Sequence, residues 1–194
     1  MSEFLSFLQI GFAHIVGVDA ADHILFLVVL SAIYRFRDWR RAIVVVSAFT
    51  VGHSMTLVLA VTGVLTLPPA VVEFLIPLTI VVAALENLIW RKRLDHERTV
   101  TMRPFIAGLF GLVHGAGFAG YLQSLFVDEL AMPLLGFNVG IELGQVVVLA
   151  LIFGVYAAWD QLAARDRAFQ PRLVAVSLCG ACIAAVWALE RVPR

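Results

Sequence analysis

Apolar residues in this chain come in long runs: about Asp22 to Phe36, Ala42 to Leu65, Ala70 to Trp90, Pro104 to Phe126, Pro133 to Trp159 and Leu173 to Leu189. Most exceed the ~18 to 20 residues that a helix needs to cross a hydrocarbon core of ~30 Å. Of the 194 residues, 61% are hydrophobic and 14% charged, against roughly half and a quarter in an average soluble domain. The sequence therefore reads as an all-α polytopic membrane bundle with six transmembrane helices. Because the first run is short, it is expected either to recruit residues upstream of Asp22 or to follow a separate N-terminal helix, Ser2 to Val16, in the outer leaflet. No hydrophilic stretch is long enough to bury a core of its own, so residues 1–194 are expected to form a single integral membrane domain.

Basic residues set the orientation. Arg35, Arg37, Arg40 and Arg41, then Arg91, Lys92, Arg93, Arg98 and Arg103, then Arg165, Arg167 and Arg172 fall in three alternate connections, leaving Arg191 and Arg194 elsewhere. Those connections are expected on the cytoplasmic side. The other two, around Leu67 to Pro69 and Val127 to Met132, hold no Lys or Arg, which places both termini outside. The N-terminus lacks the basic stretch and small-residue cleavage site of a signal peptide and is expected to stay in the mature protein. With a net charge of zero, the chain is expected to partner the lipid bilayer and not nucleic acid. Cys179 and Cys182 form a CxxC spacing inside the last run, where packing beside Ser177 and Gly180 is the expected role. His96, in "RKRLDHER", reads as part of a solvated loop.

Polar groups inside the runs carry the functional signal. A charged side chain near mid-bilayer costs about 2.5 to 3.5 kcal/mol on insertion scales, so such groups face the bundle interior and mark function. "TVGHSMT" sets Thr50, His53 and Thr56 on one helix face, and "GLFGLVHGAGFAGY" sets His114 between Gly111 and Gly115. At ~1.5 Å per residue both histidines fall near the midplane. In "FNVGIELGQ", Asn138, Glu142 and Gln145 form a stripe expected to point inward. The opening segment "GFAHIVGVDAADHILFL" adds His14, Asp19, Asp22 and His23 where the first span meets the outside, and Glu73 and Glu86 bracket the third run. "GFAH" and "GLVH" echo one another, as inverted three-helix halves would, but the match is too short to establish a repeat.

Imidazoles with two or more carboxylates can hold a divalent cation, which offsets the cost of so many titratable groups in a dry bundle. The N and O ligand set suits Ni, Co, Zn or Fe. The candidate metal residues are His14, Asp22, His23, His53, His114 and Glu142, with Asp19, Glu73, Glu86, Asn138 and Gln145 as supporting or pathway groups.

Five blocks in order, "HIVGVDAADHILF", "FTVGHSMTLVLA", "VVEFLIPLTIVVAALENL", "FGLVHGAGFAGYLQSL" and "FNVGIELGQ", resemble the HupE/UreJ family of small bacterial membrane proteins. The resemblance implies a multi-pass protein of the bacterial inner membrane and a nickel or cobalt permease associated with hydrogenase and urease maturation. Carried over, the family's polar positions fall on His14, Asp22, His23, His53, Glu73, His114, Asn138, Glu142 and Gln145. Nickel permeases typically show His, four residues, then Asp-His. Here Asp19 keeps that interval from His14, Ala20 replaces the histidine, and Asp22-His23 follows three residues later, which resembles a variant branch.

Two functions are expected to compete. A permease would capture the ion at Asp22 and His23 with Glu73 nearby, replace its water shell at His53, His114 and Glu142, and release it toward Glu86. An intramembrane metalloenzyme would hold zinc or iron by three ligands, with Glu142 or Asp22 as general base at a site open to the periplasmic side. A metal-stabilised scaffold is a third reading, and it accounts for fewer of the midplane groups.

The orientation has a direct test. In a background lacking Cys179 and Cys182, Leu67→Cys is expected to react with a membrane-impermeant maleimide added to intact cells. Arg40→Cys is expected to react only after permeabilisation, as gel-shift labelling would record.

Overall fold

The computed structural model describes residues 3–17, 20–91, 97–123, 131–162 and 168–193, without the side chains of 97–101, 119 and 121–123. Asp19, His96, Lys92, Arg93, Arg165 and Arg167 lie outside the described residues. Seven α-helices follow in order: α1 Glu3–Val16, α2 Ala21–Ser31, α3 Trp39–Val61, α4 Pro69–Trp90, α5 Glu97–Gln123, α6 Ala131–Leu162 and α7 Phe169–Glu190. No strand occurs among the described residues.

Four helices are long and apolar enough to span a membrane: α3 with its preceding turn, α4, α6 and α7. A fifth candidate is the pair α1 and α2, inclined to one another by 66°. At ~1.5 Å per residue, their 14 and 11 residues cover about 21 and 16 Å, so neither is long enough alone and the pair qualifies only if the two count as one bent span. A separate helix, α1, precedes the short first run, with a break between them.

Local chemistry ends the helices where the runs end. Past α3 the chain turns at Gly63, whose φ of 75° lies in the left-handed region that favours glycine. There Gly63 N–H donates to Ala60 O at 3.1 Å and Leu65 N–H to Leu59 O at 2.9 Å. Pro69 then opens α4, where a missing amide hydrogen costs nothing.

Glycine determines which helices meet. A Cβ at Gly136, Gly140 or Gly11 would overlap the backbone carbonyl oxygen of Phe4, Leu8 or Phe137, so α1 lies with its backbone on α6. The same holds for α3 and α5, where Gly52, Gly111 and Gly115 oppose the carbonyl oxygens of Gly108, Phe49 and His53. Residue numbers rise together along both contacts, so each pair runs parallel. Such close approach is how membrane helices gain packing energy without a hydrophobic driving force. A third extensive pairing joins α4 and α7.

The C-terminus of α2 is buried, and side chains from three other helices bond its carbonyls, with a fourth helix bonding those just beyond. Val28 O accepts from Tyr156 Oη on α6 at 2.7 Å, Val29 O from Asn87 Nδ2 on α4 at 2.7 Å, and Leu30 O from Arg103 Nη2 on α5 at 3.5 Å. Just beyond the helix, Ala32 O and Tyr34 O accept from Arg172 on α7 at 3.2 and 3.3 Å. Arg172 also pairs with Asp160 at 3.0 Å, and its guanidinium lies 4.1 Å above the Tyr156 ring. A helix leaves its last four carbonyls unbonded and its C-terminus partially negative, so cationic donors suit it. These contacts draw the α2–α3, α4–α5 and α6–α7 ends to one side of the bundle, the basic side.

Gly111→Val is expected to force α3 and α5 apart at a contact where the opposing atom is backbone, costing at least the ~1 to 3 kcal/mol of ordinary overpacking. Gly154, with nothing within 4 Å of an added Cβ, supplies the control: Gly154→Val is expected to leave the melting temperature in detergent within a degree or two of wild type.

Candidate metal centre

Four histidines from four helices meet on the side of α2 opposite its capped end. His14 comes from the last turn of α1 and His23 from the first turn of α2, on either side of the break. His53 and His114 stand on α3 and α5, where the glycine contacts bring them close: Gly115, next to His114, opposes the carbonyl of His53. Ring centroids are 4.6 Å apart for His14 and His23, 5.8 Å for His14 and His53, 6.0 Å for His23 and His53, and 5.1 Å for His23 and His114. His53 is 0% and His114 1% exposed, so bulk water does not bond to either ring.

His14, His23 and His53 each offer a nitrogen, and the three atoms lie within 4.8 Å of one another. Among the described residues they form the one group of this kind. Tetrahedral bonds of ~2.0 Å would set nitrogens about 3.3 Å apart, which asks for small side-chain adjustments only. Burial of polar atoms without partners is the observation that tests the fit. His14 Nε2, His23 Nε2 and both ring nitrogens of His53 are buried and have no hydrogen-bond partner. A buried polar group left unbonded costs ~1 to 3 kcal/mol, and three imidazoles in this condition fit a dication that accepts their lone pairs.

Aromatic rings close the cluster on both sides. Toward the basic side, Phe26 and Phe49 pack at 4.7 Å and reach His114 at 5.2 and 5.0 Å. On the other side the stacked pair Phe118 and Phe137, 5.2 Å apart, covers His14, whose ring is 4.0 Å from Phe118. Beyond it, a cavity of about 220 Å³ between α3, α4 and α5 is lined by Glu73, Val72 and Gly117.

The remaining residues singled out in the sequence fall around this centre. Asp22 Oδ2 pairs with Arg191 at 3.0 Å, while its Oδ1 is buried without a partner. Glu142 accepts a hydrogen bond from Ser47, Asn138 bonds Ser54, and Gln145 accepts from Thr50 at 2.7 Å. These form three contacts of a seam between α3 and α6, over which lies a groove of about 610 Å³ that also takes in the exposed Val51 and Met55. Glu86 is half-buried on α4 next to Asn87, at the basic side. The structure brings His14, His23 and His53 together with His114 beside them, and sets Asp22, Glu73, Glu86 and Glu142 at separate places around them. Cys179 and Cys182 are exposed on α7.

Sequence reasoning passed over Thr79 and Asn87. Thr79 Oγ1 lies 3.0 Å from His114 Nε2. Asn87 is 0% exposed and bonds Val29 O, Arg103 Nη2 at 2.9 Å and Ser177 Oγ at 3.2 Å. An amide inside an apolar run is the one hint the sequence offers for Asn87, and it names no partner.

A polytopic helical membrane protein with a buried imidazole cluster at the bend between two short helices is the class that fold and site define. The chain belongs to the HupE/UreJ family: the family model described as HupE / UreJ protein matches residues 1–191, nearly its whole length. No curated protein and no solved structure matches it.

Single replacement of His14, His23 or His53 by Ala is expected to weaken Ni(II) or Co(II) binding by more than the ~10- to 100-fold that loss of a supporting hydrogen bond costs. Isothermal titration of the detergent-solubilised variants would check this. Cys179→Ser is expected to leave the affinity unchanged.

Proposed function

We infer that the chain is a divalent transition-metal permease of the nickel or cobalt kind, working in a bacterial inner membrane with both termini on the periplasmic side. One observation carries the reading: unpaired imidazole nitrogens from α1, α2 and α3 converge where the first span breaks. Discontinuous helices near the bilayer midplane are where many transporters bind their ions. Membership of the HupE/UreJ family supports the same class. A six-span count follows if α1 and α2 count as one span and α5, packed in parallel along α3, crosses beside it.

In this reading the ion enters by the cavity at Glu73, whose charge raises its local concentration. It sheds water onto His14, His23 and His53, with His114 beside them and the carboxylates of Asp22 and Glu142 as the nearby negative charge. Passage inward requires Phe26 and Phe49 to part, after which Glu86 draws the ion to the cytoplasmic side. Ni, Co, Zn and Fe all suit imidazole and carboxylate donors. Binding has to be weak enough for release.

A second reading is favoured by the same phenylalanines. Three imidazoles with a free fourth position, sealed on the inner side, are also how a resident zinc or iron ion would serve an intramembrane hydrolase.

Transport distinguishes the two. Proteoliposomes holding the wild-type chain are expected to accumulate radioactive Ni(II) or Co(II), and Glu86→Gln is expected to abolish the flux while leaving affinity nearly intact. Absence of wild-type flux, together with a stoichiometric metal that survives a chelator wash in elemental analysis, would replace the permease with the enzyme.

A further inference from the structure

We propose that Thr79 is a positioning residue for the metal centre: it locks His114 in the tautomer that carries its proton on Nε2, so that the Nδ1 lone pair is presented as a fourth imidazole ligand. This inference rests on the metal-site reading above and adds to it a residue that does not itself touch the ion.

Hydrogen-bond bookkeeping assigns the tautomer. Thr79 Oγ1 lies 2.7 Å from Ile76 O and 3.0 Å from His114 Nε2. A hydroxyl has one proton to donate, and a carbonyl oxygen can only accept. The proton therefore goes to Ile76 O, the bond a helical threonine makes to the carbonyl one turn earlier. The Thr79 oxygen is left as an acceptor toward His114, so Nε2 must bear the hydrogen. In a neutral imidazole the other nitrogen then holds the lone pair.

That nitrogen is the one the structure leaves bare. His114 is 1% exposed, and its Nδ1 is buried with no hydrogen-bond partner. Its ring stands 5.1 Å from that of His23, whose Nε2 is equally unpaired, and His23 in turn stands 4.6 Å from His14. His114 falls outside the group whose nitrogens lie within 4.8 Å of one another, so its ring would have to move toward the other three to serve as the fourth ligand. Metal-ligating histidines almost always donate their other N–H to a fixed acceptor, which sets both ring orientation and tautomer. Thr79 supplies that acceptor from α4, and no other described hydrogen bond to His114 competes with it.

The test separates the tautomer from the metal. In metal-free protein carrying ¹⁵N-histidine, one ring absent from the His114→Asn spectrum is expected to show a protonated Nε2 and a bare Nδ1. Thr79→Val is expected to convert that ring to a mixture of tautomers or to the Nδ1–H form, and Thr79→Ser to keep the wild-type pattern. With Co(II) as probe, Thr79→Val is expected to weaken binding ~10- to 100-fold and to shift the visible ligand-field bands, and Thr79→Ser to restore both. A wild-type His114 protonated on Nδ1 overturns the proposal, as does a folded Thr79→Val chain with unchanged Co(II) affinity and spectrum. A wild-type chain that binds no Co(II) overturns the metal-site reading and the ligand role with it; the tautomer is read without metal, so the two failures are distinguishable.

Discussion

The arrangement depends on a helix that ends inside the bundle. After only 11 residues α2 stops, and its carbonyls would be costly to leave unbonded in so dry a place. Tyr156, Asn87 and Arg103 bond them from α6, α4 and α5, and Arg172 of α7 bonds Ala32 O and Tyr34 O just past the end. One set of contacts thus ties five helices together, and it does so with groups that are themselves expensive to bury. Arg103 is 3% and Arg172 2% exposed. The Arg172 guanidinium is surrounded by carbonyl oxygens, the Asp160 carboxylate and an aromatic face, which makes its burial tolerable. Arg103 has Leu30 O, Asn87 Oδ1 and the Tyr34 face, with its Nε and Nη1 left unbonded.

Burial was the part of the site most legible in the sequence. Histidines set inside apolar runs are expected to face the bundle interior, and in the structure His53 and His114 are buried and neighbours of His23. Glycines beside them also announced close approach, since no other residue permits one backbone to rest on another. Which backbone would be approached was not legible. Gly111 opposes Phe49 and Gly11 opposes Phe137, pairings between segments tens of residues or more apart that no local pattern encodes. The break between α1 and α2 was half legible, because a short first run demanded more length but nothing in "GVDAADH" stated that the added helix would bend away.

The polar stripe on α6 shows the limit from the other side. Asn138, Glu142 and Gln145 share a face, as their spacing required, and Ser47, Thr50 and Ser54 share a face of α3 by the same rule. The α6 stripe is legible alone; on α3 the spacing groups Thr50 with His53 and Thr56 instead, and the engagement of the two helices is legible in neither. Periodicity says that a face is polar and leaves its partner open. Thr79 and Asn87 were harder still. A lone hydroxyl or amide in an apolar run carries no pattern, and its meaning came only from the atom it meets.

Fixing one end of α2 so firmly has a mechanical corollary. A rod clamped at its base by five hydrogen bonds can swing only at its tip, and the tip of α2 is where His23 sits, next to the bend that leads back to His14. Arg191, reaching from α7 to Asp22 at 3.0 Å, ties that tip to the bundle as well, so the imidazole cluster is held at the end of a rod anchored by guanidinium groups at both extremities.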